Sequence, residues 1–236
     1  MLPIAILCGG LATRLRPITE TIPKSLITIH GEPFINYQLR YLYNQGVRDV
    51  VLCVGYLGDM IEDSVKDGKA FGLNVKYSYD GDKLLGTGGA INKALTFLGE
   101  DFFVIYGDSY LPINFNQVEK AYFESKKPAL MTILENSGKW DKSNVIYQDG
   151  EILEYNKRSN NSAMHYIDYG LSILTSSIIK EYNINDHFDL SDMYHELSNM
   201  KKMAGYIVSE RFYEIGSFDG INDLEKYLKV NEEQII

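Results

Sequence analysis

Pro3-Ile4-Ala5-Ile6-Leu7-Cys8-Gly9-Gly10-Leu11-Ala12-Thr13-Arg14-Leu15-Arg16-Pro17-Ile18-Thr19 lies at the start of the chain, and Ile22-Pro23-Lys24 follows it. An apolar run that stops at a glycine pair reads as a buried strand followed by a sharp turn. Glycines at such a turn let backbone N–H groups come close to phosphate oxygens, and Arg14 and Lys24 would supply charge to a polyphosphate. Two other phosphate motifs are excluded. A dinucleotide fingerprint needs a third glycine at the helix start, which is absent, and a P-loop needs Gly before Lys-Ser, whereas Pro23 precedes Lys24-Ser25.

Outward from this stretch, apolar runs alternate with segments of helical period, the pattern of an α/β fold. Strands are expected at residues 3–8, 47–55, 73–79, 102–106 and 128–134, with helices at 34–45, 60–71, 89–98 and 116–126. Gly46 closes the first helix in the usual C-terminal position. After about residue 135 the style changes: residues 144–157 are split by Asp149-Gly150, which reads as a two-residue hairpin turn. Strands at 167–174 and 204–213 and helices at 189–200 and 221–230 complete the pattern. No repeat, linker or low-complexity tract interrupts it, so we expect a single Rossmann-like α/β domain over residues 1–236 with a central mixed, mainly parallel sheet.

With 236 residues and 45% apolar composition, the chain is long enough to bury a core unaided. A formal net charge of -9 disfavours a nucleic-acid partner, which needs a basic face, so phosphate would have to be met by a local basic pocket. The two cysteines, Cys8 and Cys53, sit in apolar runs and form neither a disulfide framework nor a metal motif, which fits a reducing compartment. The N-terminal apolar run has no basic n-region and stops at Gly9-Gly10, and no stretch approaches the roughly 20 apolar residues of a membrane span. A cytoplasmic protein without a membrane partner is expected. Neither the four histidines nor the eighteen tyrosines show metal spacing or a basic, stacking cluster.

The opening stretch resembles the signature of the sugar-phosphate nucleotidyltransferase family, Gly-Gly-x-Gly-Thr-Arg-Leu-x-Pro-x-Thr followed by Pro-Lys. Four later segments are similar to family motifs as well: Leu85-Gly86-Thr87-Gly88-Gly89-Ala90, Val104-Ile105-Tyr106-Gly107-Asp108-Ser109, Ile152-Leu153-Glu154-Tyr155-Asn156-Lys157 and Phe212-Tyr213-Glu214-Ile215-Gly216-Ser217. Tyr166-Ile167-Asp168-Tyr169-Gly170-Leu171 looks like the family's Asn-Ala-Gly-Ile strand. The resemblance implies that Leu7, Gly9, Gly10, Thr13, Arg14 and Lys24 bind the triphosphate nucleotide, with Asp80, Gly86, Thr87 and Gly88 near base and ribose. It places Asn156, Lys157, Asp168 and Gly170 on the sugar phosphate. Asp108 and Glu214 become the ligands of a Mg²⁺ cofactor, and Arg14, Lys24 and Asp108 the catalytic group. Residues up to about 135 would be the nucleotide-binding core, and 136–236 the acceptor-binding half.

The implied reaction joins a nucleoside triphosphate to a sugar 1-phosphate and releases pyrophosphate. Among family branches the chain looks similar to the small guanylyltransferases acting on heptose or mannose 1-phosphate, and GTP is the expected donor. A uridylyl- or cytidylyltransferase is the alternative within the family, and a non-catalytic nucleotide-sugar sensor the alternative outside catalysis. Five departures matter: Ala12 stands for the third glycine, Glu214 for Asp, Asn156 for Glu, and Asp168 and Tyr169 for Asn-Ala. Ala12 is tolerable only where its φ is negative. No left-handed β-helical extension, and hence no acetyltransferase activity, is expected. Trp140 could cover the sugar or simply anchor its loop. A homo-oligomer is compatible with the sequence.

Overall fold

The computed structural model describes residues 1–10, 13–136, 138–182 and 187–231. The strand β1 (Ile4–Leu7) is followed by the ribbon β2 (Thr28–Ile29) and β3 (Glu32–Pro33), helix α1 (Phe34–Asn44), β4 (Asp49–Val54), α2 (Gly58–Val65), β5 (Asn74–Tyr79), α3 (Gly86–Ala94), β6 (Asp101–Tyr106), β7 (Ser109–Tyr110), α4 (Phe115–Ser125) and β8 (Ala129–Glu135). The later part holds β9 (Val145–Gln148), β10 (Glu151–Tyr155), β11 (Tyr166–Thr175), α5 (Ser176–Tyr182), α6 (Leu190–Asn199), β12 (Met203–Val208), β13 (Tyr213–Glu214) and α7 (Phe218–Val230).

Nine strands form one mixed sheet in the order β5-β4-β1-β6-β11-β8-β12-β10-β9. In the first half β5, β4, β1 and β6 are all parallel. Then β11 runs antiparallel to both β6 and β8, and β12 lies parallel to β8. Two reversals restore direction, so β8 and β12 point the same way as β1 and β6. Their carboxyl ends therefore share one edge of the sheet, where ligands of open α/β sheets collect.

Both faces are covered, which explains why the strands read as continuous apolar runs instead of alternating ones. Ile4 and Ile6 of β1 pack with Ile35, Leu39 and Leu42 of α1 and with α2 and α4 on one face. Ala5 packs with Ala90, Ile91 and Ala94 of α3 and with α5 and α6 on the other. A third cluster, from Phe34 and Tyr37 to Leu224 and Leu228, seats α7 against α1.

Four expectations differ from the structure. The helix expected at 60–71 ends at Val65 because Lys66 and Gly68 adopt φ of 55° and 77°, after which residues 69–71 form a single 3₁₀ turn. The helix expected at 89–98 starts three residues earlier, at Gly86, for a reason that belongs to the site. The strand expected at 204–213 stops at Val208, and Tyr213 and Glu214 instead pair with β7. Helix α5 was not expected at all. The Asp149-Gly150 hairpin matches its reading: both residues take positive φ, 50° and 89°, as a type I′ turn requires.

Candidate active site

At the carboxyl end of β1 the chain crosses its neighbours with almost no space for side chains. Cys8 N donates to Cys53 O at 2.8 Å and Gly107 N to Leu7 O at 2.9 Å. A β-carbon on Gly9 would stand 3.2 Å from Gly55 N, and one on Gly107 would stand 2.6 Å from Cys8 Sγ. Glycine is thus needed here for close approach of backbones. Beyond the turn opens a cleft of about 330 Å³, whose wall includes Leu7, Gly9, Gly10, Lys24, Asp80, Gly86, Thr87 and Asp108, all eight named from sequence.

Three of the named nucleotide residues are not brought to that wall. Thr13 and Arg14 sit exposed in the 3₁₀ turn Thr13–Leu15. Gly88 is buried, and a β-carbon on it would meet the Phe188 ring at 2.1 Å, so it gives room for packing. The expectation for Ala12 lies outside the described residues.

Among the described residues one cation, Lys24, and three aspartates, Asp80, Asp108 and Asp189, line the cleft. Lys24 Nζ donates to Asp108 Oδ2 at 2.8 Å. Asp80 stands between the glycine turn and α3: its Oδ2 accepts from Leu85 N at 3.3 Å and would lie 3.5 Å from a β-carbon on Gly9. Asp189 and the apolar Leu84 and Ala90 line the α3 side. Burial pushes the Asp80 carboxyl above the usual aspartate range, against the Leu85 N–H bond and the Lys93 ammonium that lower it. The α3 amino terminus, a natural anion site, is already satisfied: Gly88 N and Gly89 N donate to Phe188 O at 2.9 and 3.2 Å, and Thr87 N donates to Asp189 Oδ1 at 3.1 Å. Lys24 is the one cation of that wall among the described residues, and the satisfied α3 terminus leaves none of the Thr87, Gly88 and Gly89 amides free for an anion. Burial drives the Cys8 thiol, also in this wall, up to about 12, so it is no nucleophile.

The acceptor side adjoins the same cleft through Tyr106. Asn156 N donates to Asn144 O at 2.8 Å and Asn144 N to Tyr166 O at 3.0 Å, which draws the end of β10 and the start of β11 to the shared edge. Lys157 Nζ hovers 6.0 Å from the ring centroids of both Tyr106 and Tyr155. Gly170, at φ of 102°, lies beside Tyr106 and Ser109: a β-carbon there would stand 3.8 Å from each. Asp168 accepts from Gly170 N at 3.0 Å. Burial raises its carboxyl above the usual range, opposed first by the Lys157 charge. The buried Tyr155 hydroxyl lies beside it. Asn156 is not turned to the site; its Oδ1 accepts from Arg158 N and Ser159 N and shapes the turn that carries Lys157.

Glu214 reaches Asp108 through the β7–β13 ribbon, in which Glu214 pairs with Ser109 and Ile215 N donates to Asp108 O at 3.0 Å. One point reports the convergence: a β-carbon on Gly216 would stand 2.6 Å from Glu214 Oε2, 3.4 Å from Lys24 Nζ and 3.7 Å from Asp108 Oδ2. Both Glu214 oxygens already accept hydrogen bonds, from Gly216 N and Ser217 Oγ. A carboxylate oxygen has a second lone pair for a metal, and Mg²⁺ asks for only one or two carboxylates plus phosphate oxygens. The pair fits such an ion, although no group of three or more acidic, His or Cys residues is gathered for one among the described residues. Trp140 is a loop anchor: its backbone N–H donates to Asn136 Oδ1 at 3.0 Å and its ring lies 4.3 Å under the Arg211 guanidinium.

Asp189 was missed from sequence. Nothing in His187-Phe188-Asp189-Leu190 announces a partner about a hundred residues away.

A family model described as nucleotidyl transferase matches residues 4–229. The D-glycero-alpha-D-manno-heptose 1-phosphate guanylyltransferase of Campylobacter jejuni is 31% identical over 211 residues, covering 89% of this chain and 93% of its own. The N-acetylmuramate alpha-1-phosphate uridylyltransferase of Neisseria meningitidis is 40% identical over 111 residues, 47% of this chain and 48% of its own. Among solved structures, HddC from Yersinia pseudotuberculosis complexed with GMP-PN superposes with a TM-score of 0.79 at 26% identity, over 97% of this chain and 100% of that one.

Proposed function

We propose a substrate pair for a chain that belongs to the nucleotidyl transferase family: GTP as donor, and D-glycero-D-manno-heptose 1-phosphate or a related hexose 1-phosphate as acceptor, giving a nucleotide sugar and pyrophosphate for surface polysaccharide precursors. The enzyme class follows from the family; the substrates are our reading. The observation that carries the two-substrate reading is the gathering of the Lys24–Asp108 pair and, across Tyr106, Lys157 at the end of β6, which suits two phosphates side by side. The guanylyltransferase relative and the GMP-PN complex support GTP. The stretch shared with the uridylyltransferase supports UTP as the second reading.

No enzyme nucleophile is required, because the acceptor phosphate oxygen is already anionic and can attack the α-phosphorus in line. The chain's work is positioning and charge neutralisation. The Gly9 and Gly10 amides and Lys24 hold the triphosphate and stabilise the departing pyrophosphate, and Lys157 holds the acceptor phosphate. Arg14 joins them only by moving inward from its exposed position. Asp108 and Glu214 would hold a Mg²⁺, which would supply charge neutralisation between the two phosphates. We assign the enzyme to the cytoplasm; both cysteines are free, and no helix among the described residues is long and apolar enough to cross a membrane. Four nucleoside triphosphates assayed against a panel of sugar 1-phosphates for pyrophosphate release test the assignment: turnover should be highest with GTP and a manno-configured acceptor. Preference for UTP with an amino-sugar phosphate would overturn it in favour of the second reading.

A further inference from the structure

Two helix ends exchange caps across the cleft wall. A helix N-cap side chain ordinarily accepts from an amide two or three residues further on in its own helix. Asp189 occupies that place before α6 but makes no side-chain bond to α6. Its Oδ1 instead accepts from Thr87 N at 3.1 Å and Thr87 Oγ1 at 3.3 Å, at the start of α3. Thr87 returns the bond: its Oγ1 accepts from Leu190 N, the first residue of α6, at 2.8 Å. Phe188 completes the lock, donating from its N to Leu85 O at 3.1 Å and accepting from Gly88 N and Gly89 N. This is why α3 starts at Gly86, three residues before its expected position.

Both Thr87 and Asp189 line the cleft, on the α3 side, where base and ribose are expected. Without the exchange, the five residues Leu85–Gly89, three of them glycine, are held only by Phe188 backbone bonds and by Asp80 at Leu85 N, and glycine loses more conformational freedom on ordering than any other residue. Helix α6 in turn is tied to the strand bearing the acceptor lysine, but at its opposite end, where His195 Nδ1 meets Tyr155 O at 2.7 Å and Tyr155 N donates to Ser198 Oγ at 3.0 Å. In the first turn of α6 Asp192 Oδ1 also stands 3.6 Å from the exposed Arg158 guanidinium beside that lysine, a solvent-screened contact worth little, so the firm ties remain the crossed cap at one end and Tyr155 at the other.

We infer that Asp189 is a positioning residue for the nucleotide: through its crossed cap with Thr87 it holds the Leu85–Gly89 turn in the conformation that receives base and ribose. The inference rests on the proposed nucleotide cleft. Asp189→Ala removes the two bonds to its Oδ1 and Thr87→Val the two made by its Oγ1, so each breaks the exchange and should weaken binding of a non-hydrolysable GTP analogue, read by calorimetry, by about tenfold. The KM for the acceptor, at saturating GTP, should stay within about twofold. Asp189→Asn keeps an acceptor oxygen facing Thr87 and should recover most of the lost affinity. The double variant Asp189→Ala/Thr87→Val should lose less than the sum of the two singles, because they share the Thr87 Oγ1 to Asp189 Oδ1 bond. Unchanged analogue affinity in the single variants, additive losses, or an acceptor KM that rises in step would overturn the inference alone. A wild-type protein that binds none of the four triphosphates would overturn the proposed function and this inference together. If Asp189→Ala fails to fold, Thr87→Val decides by the same measurements.

Discussion

Lys157 holds its ammonium over two tyrosine rings, 6.0 Å from each, on the acceptor side of Tyr106 and away from the glycine turn. Lys157→Ala should therefore lower kcat/KM for the acceptor by roughly ten- to a hundredfold, the loss of one charge-assisted contact. Triphosphate affinity, measured separately, should be unaffected; an equal loss there would move Lys157 to the donor side. Asp168 next to it makes a different statement. Burial raises its folded carboxyl above its unfolded range, so its favourable contribution is fully present below about pH 3.9 and is lost as pH rises through the folded value. Asp168→Asn keeps the bond from Gly170 N and should melt higher than the parent at pH 7, with the gain vanishing toward pH 3. A lower melting temperature at pH 7 would mean that the ionised carboxylate, paired with Lys157, is stabilising. Lys157 was legible because its motif is local to one strand end. Asp189 was not, since its role is defined by a threonine on another helix, and Asn156 read as a ligand because its turn-shaping bonds depend on backbone geometry.

At the scale of elements, the ribbon of β7 and β13 decides the acidic pair. From sequence, Glu214 follows a long strand over 204–213; the break after Val208 instead places it on a separate two-stranded ribbon that seats it beside Asp108. Periodicity could not show the break, because residues 204–213 stay rich in apolar and aromatic side chains on both sides of Ser209-Glu210-Arg211. Asp108→Ala and Glu214→Ala should each reduce turnover on the order of a thousandfold at saturating Mg²⁺. Their stabilities should part. Glu214 accepts from Gly216 N and Ser217 Oγ just before α7, so its removal should also cost about 1–3 kcal/mol of unfolding free energy. Glu214→Asp should keep reduced, Mg²⁺-dependent activity. A fully active Glu214→Ala enzyme with unchanged dependence on Mg²⁺ would reduce Glu214 to its capping bonds and leave Asp108 alone with the phosphates.

Across the whole molecule, a chain of net charge -9 brings Lys24 to the cleft wall among three aspartates and Lys157 to the neighbouring Tyr106. The α/β class, the glycine turn and the strand-end aspartate were legible because each is encoded in a contiguous stretch. The later half was legible in its pieces but not in its arrangement: the double reversal through β11, which returns β8 and β12 to the direction of β6, depends on pairings between distant strands. That reversal puts nucleotide and acceptor residues on one edge, and it underlies the claim that two phosphates meet there. The most direct measurement is an omission experiment that follows pyrophosphate and nucleotide sugar together. Pyrophosphate should appear only when Mg²⁺, GTP and the sugar 1-phosphate are all present, in one-to-one ratio with the nucleotide sugar. Steady release of phosphate or pyrophosphate from GTP without the acceptor would contradict the account, since water would then be taking the place reserved for the sugar phosphate.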